Sequence, residues 1–69
     1  MDMIPVASSN LAAVGYDHEN QWLDIRFNDG SLYRYFGVPK YEHQQLMAAG
    51  SKGTYLARNI KSRYEYARL

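Results

Sequence analysis

The sequence has no cysteine among its 69 residues, so neither a disulfide bond nor a thiolate metal site is available to it. This absence is consistent with a reducing compartment. No apolar run is long enough to span a bilayer. The start, Met1 to Pro5, lacks the basic segment and long apolar stretch of a secretory signal. We therefore expect a cytoplasmic location and no membrane partner.

Basic residues are absent from the first part of the chain. Residues 1–24 hold four acidic side chains and no lysine or arginine, whereas residues 25–69 hold all eight basic side chains and three acidic ones. A basic half of this kind is typical of a surface that binds polyanions. The alternative is that folding interleaves the two halves, so that no basic patch forms.

The length predicts a single domain over residues 1–69 with a core that is marginal for its size. With no disulfide to stabilise it, the domain depends on its ten aromatic residues, seven of them tyrosine. Each aromatic side chain buries a large apolar area, which compensates for the small size.

The stretch Trp22 to Phe36 predicts a β-hairpin. Leu23, Ile25 and Phe27 alternate with polar or exposed positions, which is typical of a half-buried strand. A two-residue turn at Asp29-Gly30 would place Arg34 on the apolar face, where an unpaired charge is costly. A three-residue loop, Asn28-Asp29-Gly30, instead pairs Asp24 with Arg34. It also buries Tyr33 and Tyr35 with the apolar residues, so we prefer it.

Residues 11–16 predict another strand, with Ala12, Val14 and Tyr16 on one face, although a helix beginning at Ser9 or Asn10 is the alternative. With the hairpin, this gives a three-stranded antiparallel meander over residues 11–16, 22–27 and 31–36. Pro39 suits a helix start, and His43, Leu46 and Met47 follow at helical spacing up to a stop at Gly50.

Ser51 is a predicted N-cap for a second helix that runs to about Asn59 or Ile60. Residues 61–69 then predict either a fourth short strand or an irregular extension. The fold class is therefore α+β, in which two short helices cover the aromatic face of the sheet. The opposite face is predicted to stay open or to meet a partner, and Trp22 and Phe36 are its candidate interface residues.

The C-terminal part of the chain combines positive charge with aromatic rings, which suits nucleic acid because basic groups neutralise phosphates while rings stack on bases. The alternative is a solvated helix face whose tyrosines expose only their hydroxyl groups. Tyr33 and Tyr35 could also stack on bases, but the preferred register makes them core residues. The candidate nucleic-acid residues are Lys52, Arg58, Lys61, Arg63 and Tyr64.

Ser51-Lys52-Gly53 combines a helix cap, a cation and a glycine, the ingredients of a small anion site, although a tight interhelix turn explains the same residues. His18 and His43 are too isolated to predict a metal site, and His43 suits a partly buried packing position. No serine has a histidine placed to activate it, so the sequence does not support hydrolase chemistry. We expect no catalytic residue, no cofactor and no small-molecule substrate.

An ordered set of short motifs resembles the KTSC domain family, named for the lysyl-tRNA synthetase C-terminus to which some members are attached. The set covers nearly the whole chain: Ser8-Ser9, Val14-Gly15-Tyr16-Asp17, Leu23-x-Ile25-x-Phe27, Gly30, Tyr33-x-Tyr35, Gly37-Val38-Pro39, Leu46, Ala49, Ser51-Lys52-Gly53, Ile60 and Tyr64. The resemblance implies a small stand-alone bacterial or phage protein. His43 departs from the pattern, since an apolar or aromatic residue is expected there.

Attachment to a tRNA synthetase implies RNA binding by association alone. We therefore expect a small non-enzymatic binding module with weak affinity for RNA or another nucleic acid. The alternative is a protein-interaction module that forms a homodimer through its open sheet face.

Overall fold

Alternating apolar and polar residues produce antiparallel strands that pair in sequence order. The computed structural model describes residues 1–69 and contains one five-stranded sheet in the order β1-β2-β3-β4-β5. The strands are β1 (Met3–Pro5), β2 (Leu11–Asp17), β3 (Trp22–Phe27), β4 (Leu32–Tyr35) and β5 (Tyr66–Arg68).

The predicted three-stranded sheet is wrong in its number of strands. The three predicted strands are present as β2, β3 and β4, but β1 pairs with β2 and β5 pairs with β4. The strand alternative for residues 61–69 is confirmed by β5. Both added strands have only three residues, too few to show a period of two, and β1 also ends in a proline that suits an edge strand.

The three-residue hairpin loop is confirmed. Asp24 pairs with Arg34 and Ile25 with Tyr33, and the amide of Phe27 donates to the carbonyl oxygen of Ser31 at 2.9 Å. Gly30 has a φ of +92°, a left-handed conformation that a glycine adopts without a steric penalty.

A bulge in β2 changes which of its residues reach the core. The pairing of β2 with β3 shifts between Leu11 and Ala13, so Leu11 lies opposite Phe27 and Val14 lies opposite Ile25. Leu11 and Val14 are both 1% exposed. The predicted strand is therefore confirmed, but Leu11 rather than Ala12 is its first core residue, because the bulge adds one residue to the alternation.

Two helical segments follow the sheet. Helix α1 spans Lys40–Ala48, and α2 spans Lys52–Tyr55 and continues as a wider π-helical turn over Leu56–Ile60. The predicted cap is confirmed, since the Ser51 side chain accepts from the amide of Thr54. Neither segment approaches the length and apolar character needed to cross a bilayer.

The core lies between one face of β2–β4 and the two helical segments. It combines residues from every layer: Leu11, Val14, Leu23, Ile25, Tyr35, Val38, Leu46, Leu56 and Ile60. Tyr35 is 2% exposed, as predicted. The prediction that Tyr33 is equally buried is wrong, because Tyr33 is only half-buried at the rim of this core.

The opposite sheet face carries an ion pair. Arg34 donates from Nε and a terminal nitrogen to the two carboxylate oxygens of Asp24, each at 2.9 Å. Arg34 also lies 4.2 Å from the centre of the Trp22 ring. Asp24 is only 4% exposed, so the pair fills the centre of this otherwise open face and favours the predicted register.

Candidate functional site

The helices leave one end of the inner sheet face uncovered, and a groove of about 370 Å³ lies there. Its aromatic wall comes from three strands, because residues that face each other across paired strands share one side of the sheet. The lining residues are Phe27, Asp29, Ser31, Tyr33, Tyr35, Lys61 and Tyr66. We call this set the aromatic groove.

The rings of the aromatic groove form a connected cluster. Phe27 meets Tyr33 edge to face at 5.5 Å between ring centres, and Tyr33 lies 5.7 Å from Tyr66 at an angle of 42°. Tyr66 is 57% exposed. Part of the aromatic surface therefore faces solvent, where a flat ligand ring can stack against it.

Two cations flank these rings. The Lys61 ammonium lies 5.6 Å from the centre of the Phe27 ring, and the Arg68 guanidinium lies 5.9 Å from that of Tyr33. The two ion pairs of the molecule involve Arg34 and Arg63 instead. Lys61 and Arg68 belong to neither pair and are both exposed, which leaves them available to an anionic ligand.

The groove continues past Lys61 into a shallower pocket of about 290 Å³. This second pocket shares Phe27, Asp29 and Lys61 with the first and is otherwise lined by polar residues: Ser9, Asn10 and Asn28. An extended ligand could follow the two pockets across Lys61.

One carboxylate stands at the hairpin end of the groove. Oδ1 of Asp29 accepts from the amide of Ser31 at 2.9 Å and from its hydroxyl at 2.7 Å. These hydrogen bonds lower the pKa of Asp29 below its usual value, so the carboxylate stays ionised at neutral pH. The charge of Arg68 lowers the same pKa further, so this carboxylate and one of the two flanking cations lie near each other at the hairpin end of the groove.

Of the five predicted nucleic-acid residues, only Lys61 lines the groove. Arg58 is exposed on the π-helical turn and lies outside both pockets. Lys52 donates to the carbonyl oxygen of Ala49 at 3.3 Å. Lys61 is therefore the one predicted residue that belongs to the aromatic groove, and nucleic-acid binding by the other four stays a prediction. Arg68 belongs to the same basic stretch of the sequence, although it is not one of the five predicted residues, and it joins Lys61 because β5 places it beside Tyr33.

Arg63 and Tyr64 instead meet a buried acid. Glu42 is 2% exposed and accepts from the hydroxyl of Tyr64 at 2.9 Å, from that of Tyr55, and from Arg63 at 3.4 Å. Burial, together with the hydrogen bond to Glu42, raises the pKa of each tyrosine to about 12. We call Glu42 and its three donors the buried acid cluster.

Sequence reasoning missed the buried acid cluster, although one signal was available. Glu42 stands four residues before Leu46, so the two share the inner face of α1. A carboxylate at a core position requires donors from elsewhere in the chain. The tyrosines at 55 and 64 supply them, but their distance along the sequence conceals the pairing.

The predicted anion residues are engaged within the fold. The Ser51 hydroxyl accepts from the amide of Thr54 at 3.3 Å and donates to its hydroxyl at 2.9 Å. Gly53 lies against Asn10, whose side-chain nitrogen would be 3.2 Å from an added Cβ. Together with the hydrogen bond from Lys52 to Ala49, these contacts fit the alternative explanation, a tight turn between the two helices. Anion binding by these residues stays a prediction.

The predicted interface residues lie on the open sheet face but differ in accessibility. Trp22 is half-buried beneath Arg34, whereas Phe36 is 37% exposed. Their contact with a partner stays a prediction.

His43 is the packing histidine that the sequence indicates. Its ring stacks on Tyr16 at 4.6 Å with an angle of 8° between planes, and the ring of His18 meets the same tyrosine at 4.9 Å. Burial, and then the nearby His18, lower the pKa of His43. The imidazole thus packs as a flat ring against Tyr16, which suits its partly buried position.

Comparison with known proteins defines the family. The KTSC domain model matches residues 7–64. The chain belongs to the KTSC domain family. The resemblance seen in the sequence motifs is thereby confirmed, and the fold agrees: the crystal structure of a KTSC domain protein from Yersinia pestis superposes with a TM-score of 0.95 at 37% identity. That similarity covers 99% of this KTSC domain and 96% of the Yersinia chain.

Relatives of this KTSC domain occur both alone and within larger proteins. An uncharacterised protein of Stutzerimonas stutzeri is 39% identical over 70 residues, which cover this chain and 99% of the relative. A lysine–tRNA ligase of Nostoc is 38% identical over 61 residues, which cover 88% of this chain but only 11% of the ligase. A KTSC domain is therefore either most of a protein or a small part of one.

Proposed function

We propose that this KTSC domain is a non-enzymatic module that binds single-stranded RNA weakly in the aromatic groove. The observation that carries the proposal is the pairing of exposed rings with exposed cations. Tyr33 and Tyr66 present ring surface next to Lys61 and Arg68, and neither cation belongs to an ion pair of the molecule. Modules that bind single strands combine ring stacking with phosphate contacts in this way.

The lysine–tRNA ligase relatives support the choice of RNA over other polyanions. Their KTSC-like segments are joined to a protein whose name states that its substrate is a tRNA. A domain retained in such a context is well placed to contact RNA, and the same groove can serve a stand-alone chain.

The test is a fluorescence anisotropy titration of labelled single-stranded RNA at several salt concentrations. For single strands, the logarithm of affinity falls by roughly 0.7 per neutralised phosphate for each tenfold rise in salt. Two contacts, through Lys61 and Arg68, predict a slope of about 1.4. The double variant Lys61→Glu, Arg68→Glu should lose low-salt binding.

The matched control is Lys40→Glu, Arg58→Glu, which changes net charge equally at exposed positions outside the groove. It should retain most of the affinity, whereas equal loss in both variants would show that net charge alone attracts the RNA. It also separates the groove from the C-terminal basic segment that contains Arg58. Circular dichroism verifies that each variant is folded.

A second candidate, homodimerisation through the open sheet face, is favoured by exposed apolar side chains there. The sulfur atoms of Met1 and Met3 lie over Gly15 on this face, and Met1 is 53% exposed. Trp22 is the expected anchor, because buried tryptophans dominate interface energies. Sedimentation of the parent and of Trp22→Ser at one concentration should then differ, whereas two monomeric profiles would exclude this surface.

A further inference from the structure

Two side chains at the hairpin end of the aromatic groove, Asp29 and Ser31, present hydrogen-bond acceptors to a ligand. Both bonds that Asp29 receives from Ser31 end on Oδ1, which leaves Oδ2 of the carboxylate without a donor. The Ser31 hydroxyl donates its single proton to Asp29, so the oxygen of Ser31 can only accept a hydrogen bond from a ligand. Two neighbouring acceptors with no donor between them therefore line the groove.

This pair of acceptors is held in place before a ligand arrives. The two bonds from Ser31 fix the carboxylate within the hairpin loop, and Gly30 in its left-handed conformation fixes the loop itself. Asp29 also belongs to neither ion pair of the molecule. Its free oxygen is thus available and already oriented, which lowers the entropy cost of binding.

The chemistry of the bases determines which of them suits such a pair of acceptors. Guanine has two adjacent donors on its Watson–Crick edge, a ring N–H and an exocyclic amino group. Adenine and cytosine place a donor beside an acceptor, and uracil flanks its one N–H with two carbonyl groups. Only guanine can donate to both Asp29 and Ser31 without directing a lone pair at the carboxylate.

The charges of the groove also favour a strand orientation in which a base edge faces Asp29 and Ser31. A phosphate is repelled by Asp29 and attracted by Lys61, which lies on the helical side of the groove. The charge of Arg68 reaches Asp29, so it is Lys61 that draws a phosphate away from the carboxylate, and the edge of a stacked base then points toward the hairpin loop.

From this geometry we infer that the aromatic groove prefers guanine, with Asp29 and Ser31 as the residues that read its Watson–Crick edge. The inference rests on the RNA binding proposed above and adds base specificity to it. Two good hydrogen bonds to a base edge favour the correct base over the others by about tenfold in affinity. One guanine in an otherwise uniform strand should therefore increase affinity by about that factor.

The experiment uses three labelled heptamers of uridine whose central base is guanine, adenine or uracil, titrated with the full chain at low salt. The parent should bind the guanine heptamer about tenfold more tightly than the other two. Asp29→Asn keeps an oxygen for the Ser31 amide but replaces the free acceptor with a donor. It should remove the preference for guanine, which is measured as the ratio of its affinities for the three heptamers.

Asp17→Asn is the matched control, because Asp17 also accepts backbone amides in a polar loop but lies outside the groove. It should keep the preference. Equal affinity for the three heptamers would overturn the guanine assignment and leave RNA binding standing. A preference that survives in Asp29→Asn would also overturn it, and no binding to any heptamer would overturn both proposals.

Discussion

Replacement of Glu42 gives the largest effect that the structure predicts for a single charged residue. The buried carboxylate accepts two tyrosine hydroxyls and one arginine. The arginine contributes little, because the Arg63 side chain is 59% exposed and solvent screens the pair. The two hydroxyl bonds are charge-assisted, at roughly 1.5–3 kcal/mol each, so Glu42→Ala should cost roughly 3–6 kcal/mol.

That loss is comparable with the whole stability of the domain, which at this length is about 3–10 kcal/mol. Glu42→Ala should therefore be largely unfolded. Glu42→Gln keeps an oxygen of the same shape but loses the charge, which costs about 1 kcal/mol per hydroxyl bond and about 2 kcal/mol in all. Comparison of Glu42→Ala with Glu42→Gln separates the contribution of the acceptor oxygen from that of the negative charge.

Urea unfolding followed by circular dichroism measures both variants. Glu19→Ala is the control, because Glu19 is an exposed acid and should change stability by less than about 0.5 kcal/mol. A double-mutant cycle of Glu42→Gln with Tyr64→Phe should show coupling of about 1 kcal/mol. If the free energy of unfolding of Glu42→Ala in urea equalled that of the control, the buried acid cluster would not stabilise the fold.

Three further predictions concern stability and pH. Tyr35→Ala should cost roughly 3–5 kcal/mol, as large core truncations do, and a variant with parental stability in urea would contradict its core position. Because the pKa values of Tyr55 and Tyr64 are raised to about 12, the unfolded chain loses these protons first, and stability should fall as pH rises above 10. In an absorbance titration, Tyr55→Phe and Tyr64→Phe should each remove one late-titrating tyrosine, and unchanged late absorbance would contradict this. Because the pKa of His43 is lowered, the unfolded chain takes up its proton first, so stability should fall as pH drops below 6.5; His43→Phe should reduce that fall in urea titrations, and an unchanged slope would contradict the assignment.

The hairpin was predictable because local rules agree on it. The loop Asn28-Asp29-Gly30 favours a left-handed glycine, and the opposite charges at 24 and 34 select one register. The Ser51 cap was predictable for the same reason, since its partner Thr54 is three residues away. Features of this kind depend on neighbours along the chain or across one turn.

The short strands and the buried acid cluster depend instead on distant contacts. β1 and β5 are too short to have a readable period, and they exist because the edges of β2 and β4 accept them. Glu42 resembles any helical glutamate until the tyrosines at 55 and 64 are brought to it. The aromatic groove likewise requires β5, which alone places Arg68 and Tyr66 beside Tyr33.

An NMR titration of the ¹⁵N-labelled domain shows whether single-stranded RNA occupies the aromatic groove, as proposed. Addition of the guanine heptamer at low salt should shift the amide signals of the groove residues, among them Phe27, Tyr33, Lys61 and Tyr66, and leave those around Trp22 unchanged. The shifts should fade as salt is added. Shifts confined to the open sheet face, or no shifts at any RNA concentration, would contradict the claim.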